Sequence, residues 1–136
     1  MKPALTEGMA GVRDHSELQA FKLADQARQR VRRWVGHGTL RPDPGLEHQL
    51  KEAAESACAN IAEGFSRYHP RDFARFLRMA KGSLSELVVH LERAAAQQLV
   101  PPQEAEVTAS LARRSRGAIT RLILYLEKAE APGVKR

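Results

Sequence analysis

Three arginines with helical spacing are the residues of this sequence best suited to binding chemistry. Arg71, Arg75 and Arg78 stand at positions i, i+4 and i+7, so their side chains share one face of a helix. A guanidinium group binds phosphate oxygens through two parallel hydrogen bonds. The spacing therefore predicts a phosphate-binding face. A solvated face that acidic neighbours neutralise would show the same spacing, and the two interpretations carry equal weight.

Further basic residues cluster towards both ends of the chain. We assign three of them to the same binding surface, namely Arg28, Arg32 and Arg113. The chain has 22 Lys and Arg against 16 Asp and Glu, a net charge of +6, and its isoelectric point is near 10.0. A basic balance is the first requirement for a nucleic-acid partner, although many basic proteins bind none.

Groups that could perform catalysis or hold a metal form no recognisable site in the sequence. A carboxylate-bridged metal pair in a helical bundle needs Glu-x-x-His pairs, and the nearest pattern is Glu86 with His90 at i and i+4. Helical geometry places this pair on the flank of its helix, which favours a solvated or interface pair. The single cysteine, Cys58, is interpreted as a small apolar side chain. We predict no enzyme activity, no metal and no cofactor.

The composition is typical of one globular domain outside the membrane. Of 136 residues, 43% are hydrophobic and 28% are charged, and the mean hydropathy is -0.45. No apolar run approaches the roughly 20 residues that span a bilayer. Residues 1–15 lack the apolar stretch of a secretion signal. We expect a cytoplasmic protein without membrane contact, and a lone cysteine excludes an internal disulfide.

Hydrophobic periodicity predicts two amphipathic helices in the first half of the chain. Ser16, with a glutamine three positions later, matches a capping box that starts the first helix, over residues 16–35. Gly38 helps to end it. A proline at the first helical position, Pro44, starts the second helix, over residues 44–66. The two apolar stripes contain Leu18, Phe21, Ala24, Ala27, Val31, Trp34, Leu46, Leu50, Ala53, Ala57, Ile61 and Gly64.

Two longer helices follow, and the third has the strongest periodicity in the chain. It begins at Pro70 and continues for about seven turns to Ala95. The fourth follows Pro101 and Pro102 and continues to Pro132. The stripes of these helices contain Phe73, Phe76, Leu77, Ala80, Leu84, Leu87, Val88, Leu91, Val107, Leu111, Ile119, Leu122, Ile123 and Leu126.

These elements predict an all-α, up-down-up-down four-helix bundle over residues 16–130. Residues 1–15 are predicted to be a mobile N-terminal leader and residues 131–136 a C-terminal tail. Charge is distributed unevenly between the helices. Five basic and two acidic residues give the first helix +3, whereas one basic and four acidic residues give the second helix -3. This asymmetry favours a directed electrostatic surface over a uniform one.

Three short motifs follow one another along the second and third helices. They are Asn-Ile-Ala-Glu-Gly-Phe at 60–65, Phe-Ala-Arg-Phe-Leu at 73–77 and Gly-Ser-Leu-Ser-Glu-Leu at 82–87. With these motifs, residues 18–130 resemble the four-helix proteins encoded in intervening sequences of bacterial 23S ribosomal RNA genes. That family is similar to the accessory variability determinant proteins of diversity-generating retroelements. The chain departs from the family pattern at His69, where a Ser-type cap is usual, and at Glu52 and Glu55, where basic residues are common.

The resemblance implies a ring-like homo-oligomer, most simply a pentamer, with a basic surface that meets RNA or DNA and without catalytic residues. It assigns roles in helix pairing or subunit contact to Asn60, Glu63, Gly64, Gly82 and Glu86. Gly82 supports this assignment independently. A glycine inside a helix costs about 1 kcal/mol relative to alanine, so a glycine away from the core stripe indicates close approach of another backbone.

Two functions remain open. The first is a non-enzymatic, oligomeric nucleic-acid-binding or accessory protein that contacts the backbone of RNA or DNA. The alternative is a structural oligomer or an adaptor for a protein partner, such as a reverse transcriptase, without nucleic-acid binding. Aromatic residues make up only 5% of the chain, so base stacking is poorly supported and backbone contact is the expected mode of binding.

Overall fold

Four long helices make up nearly all of the described chain, which covers residues 11–67 and 69–129 of a computed structural model. They are α1 (Gln19–Gly36), α2 (Pro44–Phe65), α3 (Pro70–Ala96) and α4 (Pro102–Ala129), and a 3-10 turn at His15–Glu17 precedes α1. No strand occurs in these two ranges. The all-α prediction is confirmed.

Side-chain hydrogen bonds show that neighbouring helices are antiparallel. Ser115 Oγ donates to the carbonyl oxygen of Ala20 at 2.7 Å. Further along α1, Arg30 donates to Glu104, which lies earlier in α4, at 2.6 Å. The same reversal appears in the pairs Ser56–Ser83, Gln49–Arg93, Arg78–Glu127 and Ser85–Arg116. Since α1, α2, α3 and α4 pack in cyclic order, the helices form an up-down-up-down bundle.

The core is built from the predicted apolar stripes. Leu77, Leu84, Leu91 and Ile119 have 0% of their surface exposed, and Leu122 has 7%. Between these large side chains, alanines of α1, α2 and α4 let the helices approach closely. The stripes therefore locate the core correctly for most of the bundle.

Val107 is the exception, because its side chain is 49% exposed and its predicted place in the core is wrong. The start of α4 instead faces the core with Ala105 and Thr108. Thr108 can be buried because its hydroxyl accepts a hydrogen bond from Arg30 Nε at 2.8 Å and donates to the carbonyl oxygen of Glu104 at 3.0 Å. With Thr108 turned inward, the neighbouring Val107 is turned towards solvent.

The predicted signals at the end of α1 and the start of α2 are confirmed. Gly38 adopts a φ of +75°, the left-handed conformation that favours glycine, just after α1. Asp43 is the N-cap of α2, since its Oδ1 accepts a hydrogen bond from the backbone N–H of Leu46 at 3.0 Å. Pro44 occupies the first helical position. The connection is therefore short and well defined.

The predicted capping box at Ser16 is wrong. Asp14 is the capping residue, and its Oδ2 accepts hydrogen bonds from the backbone N–H of Ser16 at 3.3 Å and from the Ser16 hydroxyl at 2.5 Å. Because the Ser16 hydroxyl is held by this carboxylate, it does not cap a helix. The 3-10 turn intervenes, and α1 begins at Gln19 after Leu18, which makes no side-chain cap.

The ends of the chain are described only in part. Residues 1–10 of the predicted leader and the predicted tail, 131–136, lie outside the described residues. Near the start of the described chain, Val12 packs against the core, and the His15 ring meets the Phe21 ring edge-to-face with centroids 4.7 Å apart. None of the helices in the described ranges is long and apolar enough to cross a membrane.

Candidate nucleic-acid interface

The predicted arginine face lies on the first turns of α3. Pro70 starts the helix, and His69 caps it through Nδ1, which accepts a hydrogen bond from the backbone N–H of Arg71 at 3.1 Å. Arg71, Arg75 and Arg78 are all exposed, whereas the apolar stripe of α3 is buried. The face therefore points away from the core, as the spacing predicts.

Neighbouring side chains contact Arg75 and Arg78. Arg75 Nε lies 3.9 Å from Asp72 Oδ1, and its guanidinium carbon lies 4.6 Å from the centroid of the Phe76 ring. Arg78 forms an ion pair with Glu127 of α4. The side chains of Arg75 and Arg78 are 58% and 52% exposed. Such exposed pairs contribute about 0 to 1 kcal/mol, so a phosphate group can compete for either arginine.

A shallow groove borders this face between the start of α3 and the end of α4. It is lined by Pro70, Arg71, Ala74, Arg78, Leu126 and Glu127. The carboxylate of Glu127 lies inside the groove and repels an anion that would approach Arg71 and Arg78. The electrostatic environment of the α3 face is therefore mixed.

The predicted contact residues on α1 are joined to acidic residues of the bundle. Arg32 Nε donates to Glu55 of α2 at 2.8 Å. Arg28 pairs with Asp25 on its own helix and reaches Glu55 at 3.4 Å. Arg28 is also half-buried, and its Nε has no hydrogen-bond partner among the described residues. These two arginines link the basic helix α1 to the acidic helix α2.

On α4, the predicted contact residue Arg113 is paired within its own helix. Its guanidinium donates to Glu106 at 2.5 Å. The pair is on the surface, with 39% and 67% of the two side chains exposed, so it is weak. The structure thus brings Arg28 and Arg32 together at Glu55 and leaves Arg113 and the α3 face at separate places.

Three cations of α4 were not among the predicted contact residues. Arg114, Arg121 and Lys128 are exposed, and they form no ion pair or hydrogen bond with another described residue. Their seven-residue spacing is visible in the sequence. The sequence does not reveal that Arg113 of the same helix is paired with a carboxylate and that these three side chains are not, within the described chain.

The motif residue Gly64 has a clear role inside the subunit. A Cβ atom at this position would lie 2.9 Å from Phe73 Cδ1 and from Phe76 Cβ, and 3.2 Å from the carbonyl oxygen of Phe73. These distances are shorter than side-chain packing allows. Gly64 is therefore required for the close approach of the start of α3 to the end of α2.

Polar motif residues lie nearby on α2. Asn60 Nδ2 donates to the carbonyl oxygen of Ser56 at 2.9 Å, and the Ser56 hydroxyl is 2.8 Å from the Ser83 hydroxyl of α3. Glu63 pairs with Arg67 at 2.9 Å across one helical turn. Asn60 thus supports the pairing of α2 with α3, and Glu63 contributes a local surface pair.

The motif residues Gly82 and Glu86 are exposed on α3. A Cβ atom at Gly82 would meet nothing within 4 Å, so no contact within the described chain requires a glycine there. Glu86 lines an open groove between α2 and α3 together with His48, Gln49, Glu52, Ala53, Ser56 and His90. Most of the side chains that line this groove are polar, and the groove is open to solvent.

The sequence matches the family model described as 23S rRNA-intervening sequence protein over residues 16–121. This match covers more than half of the chain. The protein belongs to this family. The matched residues include α1, α2, α3 and the greater part of α4, together with all five motif residues. No curated protein sequence gives a significant match.

In this member of the 23S rRNA-intervening sequence protein family, burial changes the pKa of two side chains, Cys58 and His90. Burial raises the pKa of the Cys58 thiol to about 12, so it is not a thiolate at neutral pH. Burial, assisted by the charge of Arg93, lowers the pKa of His90, which keeps its imidazole neutral. Within the described ranges, no three His, Cys, Asp or Glu side chains are arranged to hold a metal ion.

Proposed function

We propose that this protein is a non-enzymatic, oligomeric nucleic-acid-binding or accessory protein that contacts the backbone of RNA or DNA. Its family takes its name from sequences inside the 23S rRNA gene, which is compatible with a role close to nucleic acid. The net charge of +6 supports the same partner. A cytoplasmic location and a link to retroelement accessory proteins are parts of this proposal.

The exposed arginine face of α3 is the observation that carries the proposal. Arg71, Arg75 and Arg78 point to solvent from one side of a rigid helix, and their ion pairs are exposed enough to be exchanged for phosphate. Guanidinium groups on a rigid helix suit a backbone phosphate better than they suit a base edge. Contact with little sequence preference is the expected mode.

The exposed side of α3 at Gly82 supports assembly. No contact within the described subunit requires a glycine at this position, although glycine weakens a helix. A second subunit that packs against this surface would explain why a glycine occupies position 82. We propose a closed homo-oligomer, and a pentameric ring follows from the family resemblance. A ring would repeat the basic surface and raise its affinity for a long polyanion through effective concentration.

A structural oligomer or protein adaptor is the second candidate, and the ion pairs favour it. Carboxylates of the bundle pair with Arg28, Arg32, Arg75, Arg78 and Arg113 among the predicted contact arginines. If these pairs persist in solution, the charges of these five arginines are engaged within the bundle. A protein partner, such as a reverse transcriptase, would then meet another part of the surface.

Binding measured over a range of salt concentrations separates the two candidates. We expect the unmodified protein to bind labelled RNA and DNA duplexes and single strands, with log affinity falling linearly with log salt. The slope should be about 0.9 per phosphate contact for duplex DNA and about 0.7 for single strands. Absence of binding at low salt would reject the proposal and favour the adaptor. Binding that does not weaken with salt would reject the backbone mode.

A further inference from the structure

The cations of α4 form two sets, since Arg113 and Arg116 have side-chain partners in the bundle and three others have none among the described residues. The acidic residues of α4 are each paired with an arginine, in the pairs Glu104–Arg30, Glu106–Arg113 and Glu127–Arg78. Arg114, Arg121 and Lys128 remain exposed and without an ion pair to any described residue. The acidic side chains of α4 are thus engaged elsewhere, and these three cations have no counter-ion within the described chain.

The three unpaired cations form a straight line along the outside of the bundle. Their positions, i, i+7 and i+14, lie close to one direction on the helix, since seven residues make almost two full turns. At 1.5 Å per residue the line is about 21 Å long. We call Arg114, Arg121 and Lys128 the basic ridge.

A groove that is lined by no described acidic residue lies beside two cations of the basic ridge. Arg121 and Lys128 line a groove between the start of α1 and the end of α4, which also contains Leu18, Gln19, Leu122, Leu124 and Tyr125. No acidic residue lines this groove, whereas the groove beside the α3 face contains Glu127. An anion in this groove therefore meets two cations and no carboxylate among the described residues that line it.

We propose that the basic ridge of α4 is the principal phosphate-contacting surface of this protein. This inference rests on the proposed nucleic-acid binding and places its main contact on α4, with the arginine face of α3 as a weaker contact. A phosphate at Arg78 or Arg75 must displace a carboxylate, whereas a phosphate at the ridge displaces only water and ions. Along about 21 Å, one strand of a B-form duplex presents about six phosphates, enough to meet all three cations.

Two matched triple variants test the assignment. One variant carries Arg114→Gln, Arg121→Gln and Lys128→Gln, and the other carries Arg71→Gln, Arg75→Gln and Arg78→Gln. Each removes three positive charges and lowers the net charge from +6 to +3, so bulk charge cannot explain a difference between them. Affinity for one labelled RNA duplex and one DNA duplex is measured at several salt concentrations. Circular dichroism and light scattering check that fold and mass are unchanged.

We expect the ridge variant to bind at least tenfold more weakly at low salt and to lose about one unit of salt slope per contacting cation. The α3 variant should lose less affinity and less slope. If the α3 variant loses as much as or more than the ridge variant, the ridge assignment is wrong while nucleic-acid binding stands. If the unmodified protein binds neither duplex at low salt, both the assignment and the proposed function fail.

Discussion

Leucines of α3 contribute much of the packing at the scale of single residues. Leu84 has no exposed surface and lies midway along the core side of α3, between Leu77 and Leu91. We predict that Leu84→Ala lowers the free energy of unfolding by about 2 to 5 kcal/mol, because buried methyl groups are lost and a cavity is left. Urea denaturation at one fixed protein concentration, followed by circular dichroism, measures the change.

Val107→Ala is the control for this prediction. The Val107 side chain is 49% exposed on α4, so its truncation should change the free energy of unfolding by no more than about 0.5 kcal/mol. A loss below about 0.5 kcal/mol for Leu84→Ala would mean that the apolar stripe of α3 does not form the packed core. A large loss of unfolding free energy for Val107→Ala would show that the Val107 side chain packs in the core.

The behaviour of the arginines shows which residue properties can be predicted from sequence. Helical spacing predicts that Arg71, Arg75 and Arg78 share an exposed face. This prediction is correct because it depends only on local geometry. Ion pairing depends on a second helix. Glu55 pairs with arginines that stand 23 and 27 residues earlier in the chain, and no local pattern indicates this contact. The charge asymmetry between the first two helices instead reflects, in part, their attraction for each other.

At the scale of elements, the helix starts differ in how directly their sequence reveals them. Asp43 stands immediately before a proline at the first position of α2, so cap and helix start coincide and are predicted correctly. Before α1, Asp14 caps a 3-10 turn, and the helix begins only at Gln19. Ser16 lies inside that turn and matches the sequence pattern of an N-cap without capping a helix. The extra turn is therefore the reason for the wrong prediction at Ser16.

The Asp43 cap should make the stability of α2 depend on pH. The hydrogen bond from the Leu46 N–H, with help from Gln97 and Arg93, lowers the pKa of Asp43. A carboxyl group whose pKa is lower in the folded state stabilises the fold above its unfolded pKa of about 3.9. That stabilisation is lost as the pH falls through the lowered value. We predict that Asp43→Asn lowers the midpoint of thermal unfolding near neutral pH.

The difference in unfolding midpoint between the unmodified protein and Asp43→Asn should narrow as the pH falls, down to the lowest pH at which both proteins fold. Asparagine still caps a helix, so the comparison isolates the charge. Glu47→Gln removes a charge from the first turn of the same helix without removing a cap and serves as the control. A difference that stays constant or widens in acid would contradict the role of the Asp43 charge.

At the scale of the whole molecule, the groove that contains Glu86 and the groove beside the basic ridge lie on opposite sides of the bundle. The helices pack in the cyclic order α1, α2, α3 and α4, so the α2/α3 groove is opposite the α1/α4 groove. A subunit that associates through the first surface leaves the second free. Assembly and nucleic-acid binding are therefore compatible in one molecule.

We predict that light scattering at micromolar concentration gives the mass of a closed oligomer, five chains of 15.1 kDa for a pentamer. A heterologous interface that closes on itself produces a ring of one fixed size, so the mass should not increase with concentration. A mass near 15.1 kDa would reject assembly. A fixed mass corresponding to another number of chains would agree with a closed oligomer and reject the pentamer.

Replacement of Gly82 locates the subunit contact. Within one subunit, Gly82→Gln should strengthen α3, because glutamine favours helix more than glycine does and a Cβ atom there meets nothing within 4 Å. If another backbone packs against Gly82, the same change blocks that approach and the measured mass falls while helix content is kept. Gly117→Gln is the matched control in the middle of α4, where a Cβ atom meets only the flexible end of Arg121. Unchanged mass for Gly82→Gln would place the subunit contact elsewhere on the bundle.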